Sequence, residues 1–231
     1  MKVIISGGFS TAYRALLPEF EKETGISVTT GSGASQGKGP TTIASQLERG
    51  ESFDVVIMSR EGLGELVAAG RIQPGSDVDL ATAAIGVAVR AGAPRPDVTS
   101  VEGFRRALLD ARLIAVPQST SGIFLAETVF PKLSVAERIK VKMYERGAQS
   151  AAAVVTGEAD LAVQPVSELL SVPGIDFVGR IAGELQLIQM FSAAIVKGSK
   201  RPDAAKRLIQ FLGSERAESA IRKNGMEPAT K

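Results

Sequence analysis

The chain has 231 residues, 44% of them hydrophobic and 23% charged, with a formal net charge of +2. This length suits one large domain or two lobes of about 100 residues each. The charge is too small for a nucleic-acid binder, and the Lys and Arg residues are scattered singly beside two Tyr and no Trp. There is no His and no Cys, which removes Ser-His-Asp and Cys-His catalysis, most zinc and copper sites, and any disulfide. No metal and no cofactor are therefore expected, and a general base would have to be Lys, Glu, Asp or Tyr.

In chain order, Val3 to Ile5 predicts a short buried strand, followed by the small-residue turn Ser6-Gly7-Gly8-Phe9-Ser10. A helix is expected to begin near Ser10, a good N-cap residue, with Pro18 kinking or interrupting it and Gly25 ending it. The turn would offer backbone N–H groups at a helix N-terminus, where an anion is favoured, or it is a plain strand-to-helix connection. A strand is expected over 26–30. Residues 31–60 are the stretch around which the chain is organised: a polar loop of Gly, Ser, Gln and Lys, a helix over 41–49, and an apolar strand over 53–58 ending in Ser59-Arg60. Both polar loops would lie at the carboxyl ends of a parallel sheet, where open α/β folds bind small ligands.

A helix over 61–69, a turn over 74–79 and a central strand over 83–89 follow. The lobe boundary is placed near 80–84, and 91–98 is a Pro-rich loop. A second α/β lobe repeats the pattern: an amphipathic helix over 101–111, a strand over 113–116, the polar loop Pro117 to Gly122, and a helix over 123–133. A strand over 141–144 then enters the loop 145–150, with a helix to 156 and a strand over 161–163 that ends at Gln164-Pro165. An apolar strand over 185–196 is the return crossing, and helices over 203–212 and 215–224 close the chain. Lobe 1 is expected to comprise 1–82 with 193–231 and lobe 2 to comprise 83–192, with hinge strands near 81–90 and 185–196. The segments Arg49-Gly50-Glu51 with Asp54, and Thr156-Gly157-Glu158 with Asp160, share a helix, Gly-Glu turn, strand pattern; either the two lobes are built alike, or a generic connection produced both.

The order and spacing of these pieces resemble type II periplasmic solute-binding proteins of the molybdate-binding-protein kind. The resemblance runs nearly end to end, from Ser6–Ser10 through Gln46-Leu47-Glu48-Arg49-Gly50-Glu51 and Asp54-Val55-Val56-Ile57 to Val196-Lys197-Gly198 and Phe211-Leu212-Gly213-Ser214 with Ala217. It implies an α/β, two-lobed fold, each lobe a mixed sheet flanked by helices, with a ligand cleft between them. Family contacts would fall on Ser6 or Ser10, Ser32 or Ser35, Ser59, Ser121, Ala148 or Gln149, and Gln164, and with Gly8, Phe9, Lys38, Arg60, Ser119 and Arg146 these form the candidate site. Molybdate-holding members tend to have Tyr near the place of Gln164, and here Lys38, Arg60 and Arg146 add cations, which suit planar carboxylates. Ser6-Gly7-Gly8-Phe9, Ala12-Tyr13 and Gly33-x-Ser35-x-Gly37-x-x-Pro40 resemble a subgroup that includes aconitate isomerase.

The expected ligand is a small anion, a di- or tricarboxylate, with the membrane component of an ABC transporter as partner in the uptake reading. Isomerisation of aconitate on the same fold and binding of a molybdate-like oxyanion are the alternatives. If the chain is an enzyme, Lys38 is the candidate base, with Tyr13 and Glu145 behind it. An effector domain of a transcription regulator is disfavoured because no helix-turn-helix precedes Val3. A monomer is expected. Met1-Lys2 leads straight into the first strand without a signal peptide, and no apolar stretch reaches the ~20 residues of a membrane span. The expected location is the periplasm, as a mature form with an added Met, with the cytoplasm as the other reading.

Overall fold

The structure, a computed structural model, describes residues 1–229. It divides into two compact units, one built from Met1–Ala83 with the chain from Met190 onward, the other from Ala84–Gln189.

In the first unit, β1 (Lys2–Ile5) lies between β2 (Thr29–Ser32) and β3 (Val55–Ser59), parallel to both. Antiparallel β9 (Ile188–Ile195) continues the sheet beyond β3, so the sheet is mixed. The period-two alternation of the strands sorts their side chains onto two faces. Val3, Ile5, Val55 and Ile57 join the cluster under α1 (Gly7–Thr24), α8 (Pro202–Leu212) and α9 (Glu215–Lys223). Ile4, Val56 and Met58 face α2 (Ile43–Glu48) and α3 (Arg60–Ala68). Pro18 lies inside α1 without interrupting it. Pro18 is exposed, while Phe9, Ala12, Tyr13, Leu16 and Phe20 bury the opposite stripe, and that burial outweighs the ~3 kcal/mol that an interior proline costs. The helix begins at Gly7, three residues before the expected start, and ends at Gly25, whose φ of 69° is the left-handed conformation that glycine accepts.

The second unit holds β4 (Val78–Arg90), which enters from the first, with β7 (Leu161–Pro165) and β8 (Ile175–Arg180) antiparallel on either side of it. Parallel to β7 run β5 (Ile114–Pro117) and β6 (Val141–Tyr144). One face packs Ile114, Val116 and Val163 on α4 (Val101–Asp110) and the helical stretch after β5. The other face, Ala88, Ala115 and Ala162, is small enough to seat α7 (Gly147–Val155).

Several element bounds differ from expectation. β2 is at Thr29–Ser32 rather than 26–30, because pairing with β1 begins where Lys2 meets Thr29. β8 and the short β10 (Glu227–Pro228) were not foreseen. The expected helix over 123–133 is α5 (Thr120–Phe124), a π turn Leu125–Val129, and α6 (Phe130–Lys132). Pro131 has no N–H and its ring crowds the carbonyl four residues back, and the helix widens there, with the Phe130 N–H reaching the Leu125 carbonyl.

The two Gly-Glu segments perform the same task in each unit. Asp54, just before β3, accepts the backbone N–H of Lys2 at 2.8 Å, and Asp160, just before β7, accepts that of Arg112 at 2.7 Å. Each carboxylate ties the start of one parallel strand to its neighbour. Asp54, 9% exposed, also accepts the Ser199 hydroxyl at 2.7 Å. Asp54→Ala leaves the partly buried Lys2 amide without this acceptor and is expected to cost about 1 kcal/mol in urea unfolding, with Asp54→Asn losing less; an unchanged midpoint in both would contradict this role.

Candidate ligand-binding site

In the first unit, β1, β2 and β3 end at one edge of the sheet, and three polar segments meet there. The Ser6 N–H donates to the Ile57 carbonyl at 2.9 Å and the Gly33 N–H to the Ile5 carbonyl at 3.1 Å. This brings Ser6, the loop from Ser32 to Ser35, and Ser59 together. Ser35 and Ser59 interlock: the Ser59 N–H donates to Ser35 Oγ at 2.9 Å, and Ser59 Oγ caps α3 by accepting the Gly62 N–H at 3.3 Å. A Cβ on Gly62 would overlap the Ser35 carbonyl, so only glycine lets the loop rest on the head of α3. Ser6, by contrast, gives α1 no side-chain cap, no acidic residue stands in the first turn of α1, and Ser6 Oγ is buried without a protein partner. Gly8 and Phe9 are buried in that first turn, Gly8 against the Phe191 ring, and Ser10 is partly exposed.

The cations predicted for this edge are placed differently from one another. Arg60, the first residue of α3, is ion-paired with Asp77 at 2.7 Å and with Asp79 at 3.3 Å. The guanidinium holds the Asp77 carboxyl below its usual range, so the charge of Arg60 is already met within the unit. Lys38 is exposed in the loop between Ala34 and Thr42, without the enclosure that a role as base required. Tyr13 is fully buried in the core and its hydroxyl pairs with Thr30 Oγ1 at 2.8 Å.

In the second unit the same arrangement recurs at the ends of β5, β6 and β7. The Gln118 N–H donates to the Tyr144 carbonyl at 2.5 Å, which sets the Ser119–Ser121 turn beside the loop entering α7. Ser119 provides α5 no side-chain cap, and Thr120 and Ser121 are buried. Arg146 is partly exposed and Glu145 exposed ahead of α7. Gln149 is exposed, and its Oε1 accepts the Arg146 backbone N–H at 3.1 Å. Gln164 shares the β7 face of Ala162 and so points to the α7 side of the sheet. It is fully buried; its amide nitrogen donates to the Glu168 carbonyl at 3.3 Å, and its Oε1 has no protein partner.

Glu168, in the 3-10 turn Val166–Glu168 after β7, is the group that sequence reasoning missed. Its carboxyl oxygen stands where a Cβ of Gly147, the first residue of α7, would be. The neighbouring Ser167 hydroxyl is buried without a protein partner. Burial alone pushes the Glu168 carboxyl from 4.5 up to about 7. An α-helix N-terminus favours the anion by only about 0.3–1 kcal/mol, whereas a rise of that size corresponds to roughly 3 kcal/mol of desolvation, so burial prevails. A signal existed: a Glu in the short turn after an apolar strand, and a Gly opening a helix whose first position tolerates almost any residue.

Among the described residues no group of His, Cys, Asp and Glu could hold a metal ion, and no helix is long and apolar enough to cross a membrane. Both edges offer backbone N–H groups, hydroxyls and amides to an anion.

The raised Glu168 carboxyl gives a pH prediction. The folded state binds its proton more tightly than the unfolded state, so this contribution is fully present below about 4.5 and is lost as pH rises through about 7. Glu168→Gln is expected to melt like the parent at pH 4 and to be more stable at pH 8 by up to ~3 kcal/mol; lower stability at pH 8 would contradict the burial of this carboxyl.

A family model for bacterial extracellular solute-binding protein matches residues 1–227. The curated relative aconitate isomerase from a Pseudomonas species is 38% identical over 229 residues, covering 99% of this chain and 87% of the relative. Among solved structures, the periplasmic molybdate-binding protein of Azotobacter vinelandii superposes with a TM-score of 0.76 at 20% identity, covering 100% of both chains. The sulfate-binding protein SubI of Mycobacterium tuberculosis does so with a TM-score of 0.77 at 19% identity, covering 99% of this chain and 86% of its own. At such identities the structures speak for the fold, a type II periplasmic-binding-protein fold, while the model that spans nearly every residue speaks for descent: the chain belongs to the bacterial extracellular solute-binding protein family.

Proposed function

We propose that this protein holds a small polycarboxylate at strand-end loops and interconverts trans- and cis-aconitate. The observation that carries the choice of reaction is the 38% identity, across 99% of this chain, to a protein named aconitate isomerase. The physical reading of the site agrees with an anionic ligand. The first turns of α1, α5 and α7 carry no acidic side chain, and helix N-termini favour anions there. Buried hydroxyl and amide atoms without protein partners, Ser6 Oγ and Gln164 Oε1 among them, supply further hydrogen-bonding capacity.

Arg60 is paired to two aspartates and Lys38 is exposed; this reading assigns the carboxylate contact to Arg146, partly exposed ahead of α7, because a guanidinium can hold a carboxylate through two parallel hydrogen bonds. Ser32, Ser35, Ser59, Ser119, Ser121 and Gln149 remain the surrounding donors of this reading. Binding without conversion, for uptake by an ABC transporter, is the second reading, and the family model favours it. The periplasm suits both readings.

Proton NMR of the purified protein with trans-aconitate distinguishes them. Growth of the cis-aconitate signals is the expected result; shifted or broadened ligand lines without conversion would assign a carrier, and sharp unshifted lines would exclude the ligand altogether. Arg146→Ala is expected to raise KM for trans-aconitate about tenfold to a hundredfold, the worth of a hydrogen bond to a charged group; an unchanged KM would remove Arg146 from the site.

A further inference from the structure

Holding an anion gives no use for a half-buried carboxyl at the head of a helix. Glu168 would repel a carboxylate ligand when ionised, and burial of its charge already costs the fold free energy. Yet the turn that carries it is fixed in place. Gln164, fully buried, donates its amide to the Glu168 carbonyl, and Gly147 leaves the space at the head of the nine-residue α7 that the carboxyl fills. Gln164 Oε1 and Ser167 Oγ, both buried, have no protein partner beside it. The ion pairs among the described residues leave Glu168 without a cation. The charged groups nearest in sequence on the packed elements are Glu145 and Arg146 ahead of α7; β7 contributes Gln164. Neither charged group displaces the titration of Glu168, for which burial is the single cause.

We propose that Glu168 is the proton carrier of aconitate isomerisation, an inference that rests on the isomerase reading above. The Glu168 carboxylate removes a proton from the methylene carbon of trans-aconitate. The released pair becomes a double bond to the central carbon, and the former double-bond pair moves to the carbon that was the vinylic CH on the other side of it. That carbon takes the proton back from the Glu168 carboxyl. One C–H bond breaks and one forms, the double bond moves by one position, and Glu168 regains its charge without oxidant, reductant or co-reactant. A group that accepts and then donates works best when its titration lies near the working pH, and burial brings Glu168 to about 7. The other candidate bases lack such a setting: Lys38 and Glu145 are exposed, and the Tyr13 hydroxyl is occupied by Thr30 in the core.

The test compares the parent, Glu168→Gln and Glu168→Asp by turnover of trans-aconitate between pH 5 and 9 and by calorimetric binding. Glu168→Gln is expected to bind within about threefold of the parent while kcat falls at least ~100-fold, the usual share of general acid–base catalysis. The parent kcat is expected to rise through about 7 as the carboxylate forms, and Glu168→Asp to keep partial activity with that limb displaced. A Glu168→Gln variant that turns over like the parent overturns the assignment while leaving the isomerase reading in place. A parent that binds trans-aconitate and converts none overturns both. Should Glu168→Gln fail to fold, an undisplaced pH limb in Glu168→Asp would overturn it instead.

Discussion

Backbone N–H groups that open a helix must find an acceptor, and in this chain several are aimed past the end of a sheet without one from a side chain. Parallel strands make that arrangement unavoidable, since each strand delivers the chain to the same edge before a helix carries it back. Ser59 shows what capping looks like, accepting the Gly62 amide at 3.3 Å. Ser6 and Ser119 occupy equivalent junctions and cap nothing. The difference separates a junction capped by its own side chain from junctions that are not, and it occurs in both units. Each unit also fastens the starts of its parallel strands, at the opposite end of the sheet, with an aspartate, Asp54 or Asp160.

Charge at these edges is lower than a count of cations suggests. Arg60 answers to Asp77 and Asp79, and Asp79 in turn accepts the Ser192 hydroxyl at 2.6 Å. A ligand with several carboxylates would then be held chiefly by oriented amides and hydroxyls. Fixed dipoles of that kind need little rearrangement when negative charge shifts within the ligand, which is the demand an allylic proton transfer makes. Glu168 adds the converse element, a half-buried carboxyl whose titration desolvation raises to about 7.

Much of the fold was legible because the alternation of Val3-Ile4-Ile5 and of Val55-Val56-Ile57-Met58 determines both strand and face, and because Gly25, Gly70 and Gly157 mark helix ends. β8 escaped notice because its six residues, Ile175–Arg180, are neither cleanly alternating nor deeply buried. The π turn after β5 came from Pro131, whose effect falls on the turn preceding it. Ser6, Ser59 and Gln164 could be placed at strand ends from pattern alone, and Ser35 in the polar loop beyond β2. The pairing of Arg60 could not, since Asp77 and Asp79 lie in a segment that read as a turn. Glu168 was hidden for a different reason: its burial depends on Gly147, twenty-one residues earlier, and no local pattern links the two.

The most direct measurement is a calorimetric titration of the protein with trans-aconitate, with its saturated analogue tricarballylate, and with molybdate and sulfate. The proposed polycarboxylate reading predicts single-site binding of trans-aconitate, competition by tricarballylate, and no displacement by molybdate or sulfate at comparable concentration. Tight molybdate binding, with no heat from trans-aconitate, would contradict it.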